Sequence, residues 1–108
     1  MKVLLDNVNL SSTTGPNHFG KKLKTALNIL GHQCETALPN PDVQLSFIET
    51  HMTKVPAPLV LRLDGIYFDT AADFVSQNKN ILRCYSQALG VIFQSEYCKE
   101  VIFRFFGA

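Results

Sequence analysis

Apolar residues along this chain are grouped in short runs that alternate with longer, periodic stripes. The short runs predict strands, because each is bounded by polar or turn-forming residues. Gln44 and Ser46 alternate with three apolar residues, a pattern that also predicts a strand. The five predicted strands cover residues 3–5, 33–38, 43–47, 59–61 and 91–93.

Three apolar stripes with a spacing of about 3.6 residues predict amphipathic helices. Asn17 is the predicted N-cap of the first helix, Gly31 follows its last turn, and Gly90 ends the second helix. Ser95 is the predicted N-cap of the third helix. The first stripe consists of Phe19, Leu23, Ala26, Leu27 and Leu30, the second of Ile81, Leu82, Tyr85, Ala88 and Leu89, and the third of Tyr97, Val101, Ile102 and Phe105.

Short strands that alternate with such helices predict βαβ units and a parallel sheet. The expected fold is α/β: one Rossmann-like three-layer domain over residues 1–108, with a mostly parallel sheet of about five strands. Only residues 49–57 connect the third and fourth strands, whereas parallel pairs usually need about a dozen residues or more. An extended chain of this length spans roughly 30 Å and a typical short strand roughly 17 Å, so this crossover is expected to form without a full helix.

Composition and charge exclude several classes of protein. The formal net charge is +1, which argues against a generic basic nucleic-acid-binding protein, so no nucleic-acid partner is expected. Cys34, Cys84 and Cys98 are far apart, which favours reduced, packed thiols over disulfides or a zinc site. No apolar run reaches the roughly 20 residues that span a bilayer, and an acidic residue comes too early for a signal peptide. A cytoplasmic protein is expected. The three histidines show no ligand spacing, so no metal is expected either.

The first candidate segment lies where the first strand leads into the first helix. Ligands of open parallel sheets bind beyond the carboxyl ends of the strands, and free N–H groups at a helix N-terminus favour an anion such as phosphate. Gly15 and Gly20 would let a ligand approach the backbone closely. The segment is neither a dinucleotide-binding nor a Walker motif, and an ordinary strand-to-helix loop explains it equally.

Two further segments would meet at the same edge. Arg62 and Asp64 are costly at the mouth of an apolar strand unless they are exposed, paired with each other or used in function. Gly65 permits a sharp turn, and Tyr67 offers an aromatic surface that could stack on a sugar ring or pack in the core. Ser95, followed by Glu96, is good helix-start chemistry that needs no function.

Four segments taken in order resemble the N-terminal half of GT-B glycosyltransferases, in particular the large retaining, nucleotide-sugar-dependent group. These segments are GPNHFG at 15–20, DVQLSF at 42–47, LRLDGIYF at 61–68 and GVIFQSE at 90–96. The resemblance implies an acceptor-side domain that works with a donor-binding C-terminal half. It also implies a metal-independent reaction, in which protein cations and helix N-termini stabilise the departing diphosphate. The nucleotide sugar is then a substrate rather than a cofactor.

The resemblance also implies roles for individual residues. The segment that contains Gly15, Asn17 and Gly20 matches the family's glycine loop, which lies near the donor phosphates and the reacting sugar. Asp64 stands where many members have a histidine that contacts the transferred sugar, so it is the tentative catalytic residue. The remaining expected substrate-binding residues are Arg62, Gly65, Tyr67, Ser95 and Glu96.

The expected partners are a nucleotide-sugar donor, a glycan, lipid or small-molecule acceptor, and a donor-binding domain or partner chain. No donor-binding motif is present, so the isolated chain is expected to be inactive. An exposed apolar surface where the second half would dock predicts self-association. A stand-alone, non-catalytic Rossmann-like binding module remains the alternative.

Overall fold

Five parallel strands form the centre of the structure, a computed structural model that describes residues 1–12, 14–63 and 74–107. The strands run in the order β2-β1-β3-β4-β5, and every neighbouring pair is parallel. The α/β fold with a parallel sheet that the sequence predicts is therefore confirmed. The elements in chain order are β1 (Lys2–Asp6), α1 (Gly15–Ile29), β2 (Gln33–Glu35), β3 (Val43–Phe47), β4 (Leu59–Leu63), α2 (Phe74–Gln87), β5 (Gly90–Phe93) and α3 (Glu96–Phe106).

Helices cover both faces of this sheet, which gives the three layers of a Rossmann-like domain. The core consists of two apolar clusters, one on each face of the sheet. Because side chains alternate along a strand, β4 contributes to both, with Val60 in one cluster and Leu61 in the other. The cluster on the α1 face contains Val3, Leu5, Cys34, Leu45 and Phe47 from the strands, with Leu23 and Leu27 from α1. The cluster on the α2–α3 face contains Leu61, Leu63, Ile81, Cys84, Cys98 and Ile102.

The crossover from β3 to β4 contains no helix in residues 48–58, as its length predicts. It begins with a tight turn in which the Glu49 N–H donates to the Phe47 carbonyl at 2.8 Å. Ile48, at the centre of this turn, has a φ of 73°. This is the strained form of the γ-turn, and a β-branched residue rarely adopts it.

Two predicted helix boundaries are wrong. Helix α1 begins at Gly15 with Thr14 as its N-cap, so Asn17 lies inside the first turn. A proline at the start of the helix favours this earlier boundary, because its fixed φ suits the first turn. Gly90 opens β5 instead of ending α2, since the Leu89 N–H already donates to Leu59 of the neighbouring strand.

Strand β2 is also shorter than predicted, because it ends at Glu35 and not at residue 38. The boundaries marked by Ser95 and Gly31 agree with the sequence. The Ser95 side chain caps α3 by accepting a hydrogen bond from the Cys98 N–H. Gly31 follows α1 with a φ of 93°, the left-handed conformation that glycine adopts without strain. None of the described helices has the length and apolar character that crossing a membrane requires.

Candidate functional site

The order of the strands reverses between β1 and β3. From β1 the chain crosses through α1 to β2 on one side, whereas β3 lies on the other side of β1. In doubly wound sheets the crevice outside the carboxyl ends of two such strands is the usual place for a ligand. Here β1 ends at Asp6 and β3 ends at Phe47.

Four polar side chains, which we call the switch-point cluster, meet at this position: Asp6, Gln44, Ser46 and Thr50. The Ser46 hydroxyl donates to Oδ2 of Asp6 at 2.9 Å, and the Gln44 amide donates to the same oxygen at 3.2 Å. The Gln44 amide nitrogen also lies 3.0 Å from Ser46 Oγ and 3.5 Å from Thr50 Oγ1. Two donors therefore hold one oxygen of the Asp6 carboxylate in place.

This cluster lies where an apolar layer is expected. The side chains of Gln44 and Ser46 are 0% exposed, and Thr50 is 1% exposed. Burying a polar group costs about 1–3 kcal/mol unless it is hydrogen-bonded. Within the described part of the chain, Oε1 of Gln44 is a buried side-chain oxygen that lacks a hydrogen-bond partner. The cluster is thus both buried and incomplete.

Two left-handed residues shape the backbone beside the cluster. Asn7 follows β1 with a φ of 58°, and Ile48 follows β3 with a φ of 73°. The Asn7 side-chain amide donates to the Phe47 carbonyl at 2.7 Å, which ties the ends of the two strands together. Such backbone strain persists only where the surrounding structure holds it.

Helix α2 holds the backbone of Thr50, whereas the Thr50 hydroxyl lies near Gln44. The Thr50 carbonyl accepts from the Asn80 amide at 3.1 Å and from the Arg83 guanidinium at 2.8 Å. The Thr50 N–H lies 3.3 Å from the Cys84 sulfur. Asn80 also donates to the Glu49 carboxylate at 2.8 Å. These contacts hold the loop after β3 against the sheet.

The predicted glycine segment lies at the carboxyl edge of the sheet, at the start of α1. Gly15 has a φ of 45° and open space where a Cβ would be. The Asn17 side chain accepts a hydrogen bond from the Asn9 N–H at 2.9 Å, so it holds the preceding loop. Gly20 is buried, and a Cβ there would lie 2.6 Å from Cγ2 of Val8. Close packing accounts for this glycine, and its expected role in binding a substrate stays a prediction.

The first turn of α1 offers fewer donors to an anion than the sequence suggests. The N–H groups of Asn17 and His18 both donate to the Thr14 carbonyl, and Pro16 carries no N–H. No side chain caps this terminus. A phosphate at this position would find few outward-facing backbone donors.

Arg62 lies on the α1 face of the sheet and is only 7% exposed. Its guanidinium carbon lies 4.2 Å from the centre of the Phe19 ring and 5.5 Å from that of Phe47. Cation–π contacts of this kind are stronger where water is excluded. Whether Arg62 also pairs with Asp64, as the sequence allows, lies outside the described residues.

Three expected site residues fall in the segment 64–73, which is outside the described residues: Asp64, Gly65 and Tyr67. The tentative catalytic assignment of Asp64 therefore stays a prediction. Ser95 and Glu96 lie at the start of α3, beyond the carboxyl end of β5. Since β4 separates β5 from β3, these two residues are well removed from the switch-point cluster.

The switch-point cluster was missed from the sequence. The signal was the presence of Gln44 and Ser46 in a strand that turns out to be central in a parallel sheet. Such strands are covered on both faces and are usually apolar throughout. Two buried polar residues on the same face of a central strand, such as Gln44 and Ser46, therefore point to a polar site, but only once the strand order is known.

Comparison with known proteins identifies no relative. The chain matches no family model, no curated protein and no solved structure. The resemblance to GT-B glycosyltransferases therefore rests on the four sequence segments alone and stays a hypothesis. What the structure itself adds is a parallel α/β domain with an incomplete polar cluster at its switch point.

Proposed function

We propose that this chain is the acceptor-side half of a glycosyltransferase that uses a nucleotide sugar as donor. The observation that carries the proposal is the switch-point cluster, in which buried donors hold the Asp6 carboxylate at the carboxyl end of β1, where ligands of doubly wound sheets usually bind. Carboxylates fixed in this way accept hydrogen bonds from the hydroxyl groups of sugars. The order of the four glycosyltransferase-like segments supports the same function.

The expected chemistry is transfer of a glycosyl group to an acceptor hydroxyl. The donor half, as a further domain or a partner chain, would hold the nucleotide. Protein cations and helix N-termini would stabilise the departing diphosphate without a metal ion. On this side of the cleft Asp64 would contact a sugar hydroxyl, while Gly15 would allow the close approach of the donor.

The test is an assay of the complete gene product that contains this sequence. It is incubated with UDP-, GDP- and ADP-glucose, and release of the nucleoside diphosphate is measured with and without sugar acceptors. We expect acceptor-stimulated release with one donor. Asp64→Ala should lower the rate by on the order of 10²-fold or more, as for loss of a polar contact made in the transition state.

A matched control keeps this assay specific. Glu100 is exposed on α3, so Glu100→Gln should leave the rate within about twofold of the wild type. Absence of release with every donor would contradict the proposed function. Equal rates for Asp64→Ala and the wild type would remove Asp64 from the site.

A stand-alone binding module is the second candidate, and a specific observation favours it. Asn17, Gly20 and Ser95 each have an internal structural role, which accounts for these residues without any chemistry. The two candidates differ in turnover. A module would bind a hydroxyl-rich ligand saturably, yet its complete gene product would release no nucleotide.

Self-association and a cytoplasmic location are further parts of the proposal. Leu89 and Ile92 lie at the β5 edge of the sheet and are 79% and 50% exposed. Sedimentation at increasing concentration should therefore show association that Ile92→Lys abolishes.

The cytoplasmic location rests on the cysteines. Cys34, Cys84 and Cys98 are free thiols, which suits a reducing compartment. Cell fractionation with thiol labelling tests the location, and recovery of the protein from an oxidising compartment would contradict it.

A further inference from the structure

We propose that Asp6 is the carboxylate that binds ligand hydroxyl groups in the switch-point crevice, with the vicinal diol of a pyranose as its ligand. The choice of a sugar as the ligand class rests on the proposed function. The role of Asp6 itself rests on the cluster around it. No motif in the sequence singles out this residue.

The two oxygens of the Asp6 carboxylate have different surroundings. Oδ2 accepts hydrogen bonds from Ser46 and Gln44, which fixes the orientation of the group. Among the described residues, none donates a hydrogen bond to Oδ1. Asp6 is partly exposed, while the two donors behind it are fully buried. The carboxylate is therefore held from the protein side and open on the other.

Gln44 provides the second, independent observation. A carboxylate only accepts hydrogen bonds, so the contact with Asp6 identifies the nearer amide atom of Gln44 as nitrogen. The amide oxygen Oε1 must then point elsewhere, and it is buried with no partner in the described residues. An unsatisfied buried acceptor destabilises the folded protein, so this oxygen needs a donor.

Two acceptor atoms without a donor among the described residues define the chemistry of the ligand. Asp6 Oδ1 and Gln44 Oε1 both need hydrogen-bond donors, which a phosphate lacks when it is fully ionised. The negative charge of Asp6 also repels an anion at this position. A hydroxyl-rich ligand supplies donors without charge, directly to Asp6 Oδ1 and through a water molecule to the buried Gln44 Oε1.

Ser46 and Thr50 are positioning residues in this arrangement. Ser46 donates to Asp6 and accepts from Gln44, so it links the two acceptor groups. Thr50 is held by α2 through Asn80 and Arg83 and lies behind the Gln44 amide. The carboxylate is thereby preorganised by buried groups, which lowers the entropic cost of binding a ligand.

The test is a titration of the 108-residue chain, labelled with ¹³C at its aspartate side chains, with methyl pyranosides. The probes are methyl α-D-glucoside, α-D-mannoside and β-D-galactoside, and tetrahydropyran serves as a ring without hydroxyl groups. We expect at least one pyranoside to shift the Asp6 carboxyl carbon saturably, and tetrahydropyran to leave it unchanged. Asp42 is the internal control, because it accepts a hydrogen bond from the Lys2 N–H at the opposite end of β1.

Variants test the same role through affinity. Asp6→Asn should weaken pyranoside binding at least about tenfold, since a hydrogen bond to a charged group is roughly twice as strong as one to a neutral group. Asp42→Asn should leave the affinity unchanged. If Asp6→Asn does not fold, Ser46→Ala keeps the carboxylate but loses its orienting donor, and a weaker affinity is again expected. The titration of the wild-type protein, which follows the Asp6 carboxyl carbon, does not depend on the folding of any variant.

Three results would overturn the proposal. These are an Asp6 signal that no pyranoside moves, an Asp6→Asn variant that binds as tightly as the wild type, and a signal that only inorganic phosphate or Mg²⁺ moves. Failure of the proposed transferase function is a separate result. A complete gene product without nucleotide release, combined with Asp6-dependent pyranoside binding, would leave Asp6 as the hydroxyl site of a binding module.

Discussion

The guanidinium carbon of Arg62 lies 4.2 Å from the centre of the Phe19 ring. This contact joins β4 to α1, two elements that are far apart in the sequence. Phe19 is also partly exposed, so its ring covers Arg62 from solvent on the outer side. The charged group is thus buried on the α1 face of the sheet, next to the rings of Phe19 and Phe47.

We predict a measurable coupling between these two residues. In a double-mutant cycle of Arg62→Met and Phe19→Leu, the interaction free energy should be about 1–2 kcal/mol, because Arg62 is largely shielded from water. The cycle is needed because Arg62 takes part in further interactions, which the single variant also removes. Urea denaturation of the four proteins measures it.

The exposed pair on α3 serves as a control for this cycle. Lys99 lies 5.5 Å from the centre of the Phe103 ring, one helical turn away. The coupling there should be about 0.5 kcal/mol or less, as for solvated pairs on one helix. Equal coupling for the two pairs would show that burial does not strengthen the contact of Arg62.

Gly20 is predicted to resist a substitution that usually stabilises a helix. Replacing an interior helical glycine with alanine gains about 1 kcal/mol. At Gly20 the added Cβ would lie 2.6 Å from Cγ2 of Val8, and overpacking of this kind costs about 1–3 kcal/mol. Gly20→Ala should therefore lower the free energy of unfolding by about 1 kcal/mol.

In a Val8→Ala background, we expect the effect of Gly20→Ala on the free energy of unfolding to change sign. Without the Val8 methyl groups, adding Gly20→Ala should stabilise the protein relative to Val8→Ala alone. Gly90→Ala is the matched control, because no atom lies within 4 Å of its added Cβ, and its effect should stay within about 0.5 kcal/mol. Stabilisation by Gly20→Ala in the wild-type background would contradict the close approach of Val8.

At position 48, a glycine variant is predicted to be more stable than an alanine variant, the reverse of the usual order. Alanine is normally the more stable of the two by about 0.5–1 kcal/mol, because glycine loses more backbone entropy on folding. At a φ of 73°, an L-residue with a Cβ is strained by about 1–2 kcal/mol. Ile48→Gly should therefore be more stable than Ile48→Ala, by about 1 kcal/mol, in thermal or urea unfolding.

Thr53, in the same crossover, has an ordinary backbone conformation and is exposed. The comparison of Thr53→Gly with Thr53→Ala should show the usual order, with alanine at least as stable. If Ile48 behaved in the same way as Thr53, the backbone strain in the turn after β3 would be disproved.

Cys34 is predicted to make stability depend on alkaline pH. Burial raises the pKa of its thiol above the ordinary value of 9.0; the charge of Lys24 partly opposes this change, and that of Glu35 adds to it. In the unfolded chain the thiol ionises near pH 9, while the folded protein retains the proton. The free energy of unfolding is therefore at its full value below that pH and falls as the pH rises further, because the folded protein disfavours the thiolate.

Comparison with Cys34→Ala isolates this effect from other alkaline titrations. Above about pH 9, the free energy of unfolding of the wild type should fall more steeply than that of the variant. The extra slope is at most about 1.4 kcal/mol per pH unit, which corresponds to one proton. Parallel curves for the two proteins would contradict the raised pKa.

Most of the fold could be predicted from the sequence because its strands and helices carry strong local signals. The apolar runs and stripes identified the strands and helices of the described residues, and the length of 49–57 predicted a crossover without a helix. The error at Asn17 has a local cause, whereas the error at Gly90 comes from the pairing of distant strands. A proline began α1 earlier, and pairing of Leu89 with β4 turned a glycine expected at a helix end into the start of a strand.

The candidate site was harder to predict because it depends on which strands become neighbours. Asp6 and Ser46 are 40 residues apart, and only the pairing of β1 with β3 brings them together. Nothing in the local sequence distinguishes Gln44 on a central strand from Gln44 on an exposed one. Conversely, Gly20 and Ser95 carry visible signals, and the structure explains both by packing and capping.

Strand β1 lies inside the sheet, between β2 and β3, and this position determines the order in which the sheet can assemble. In chain order β1 comes before both of its neighbours in the sheet, β2 and β3, so its pairing on both sides is complete only after Phe47 has emerged from the ribosome. From β3 onward, each new strand joins the outer edge left by the previous one, in chain order. During synthesis the growing edge therefore stays open to other nascent chains, and shielding by a chaperone would matter most between the emergence of β3 and that of β5.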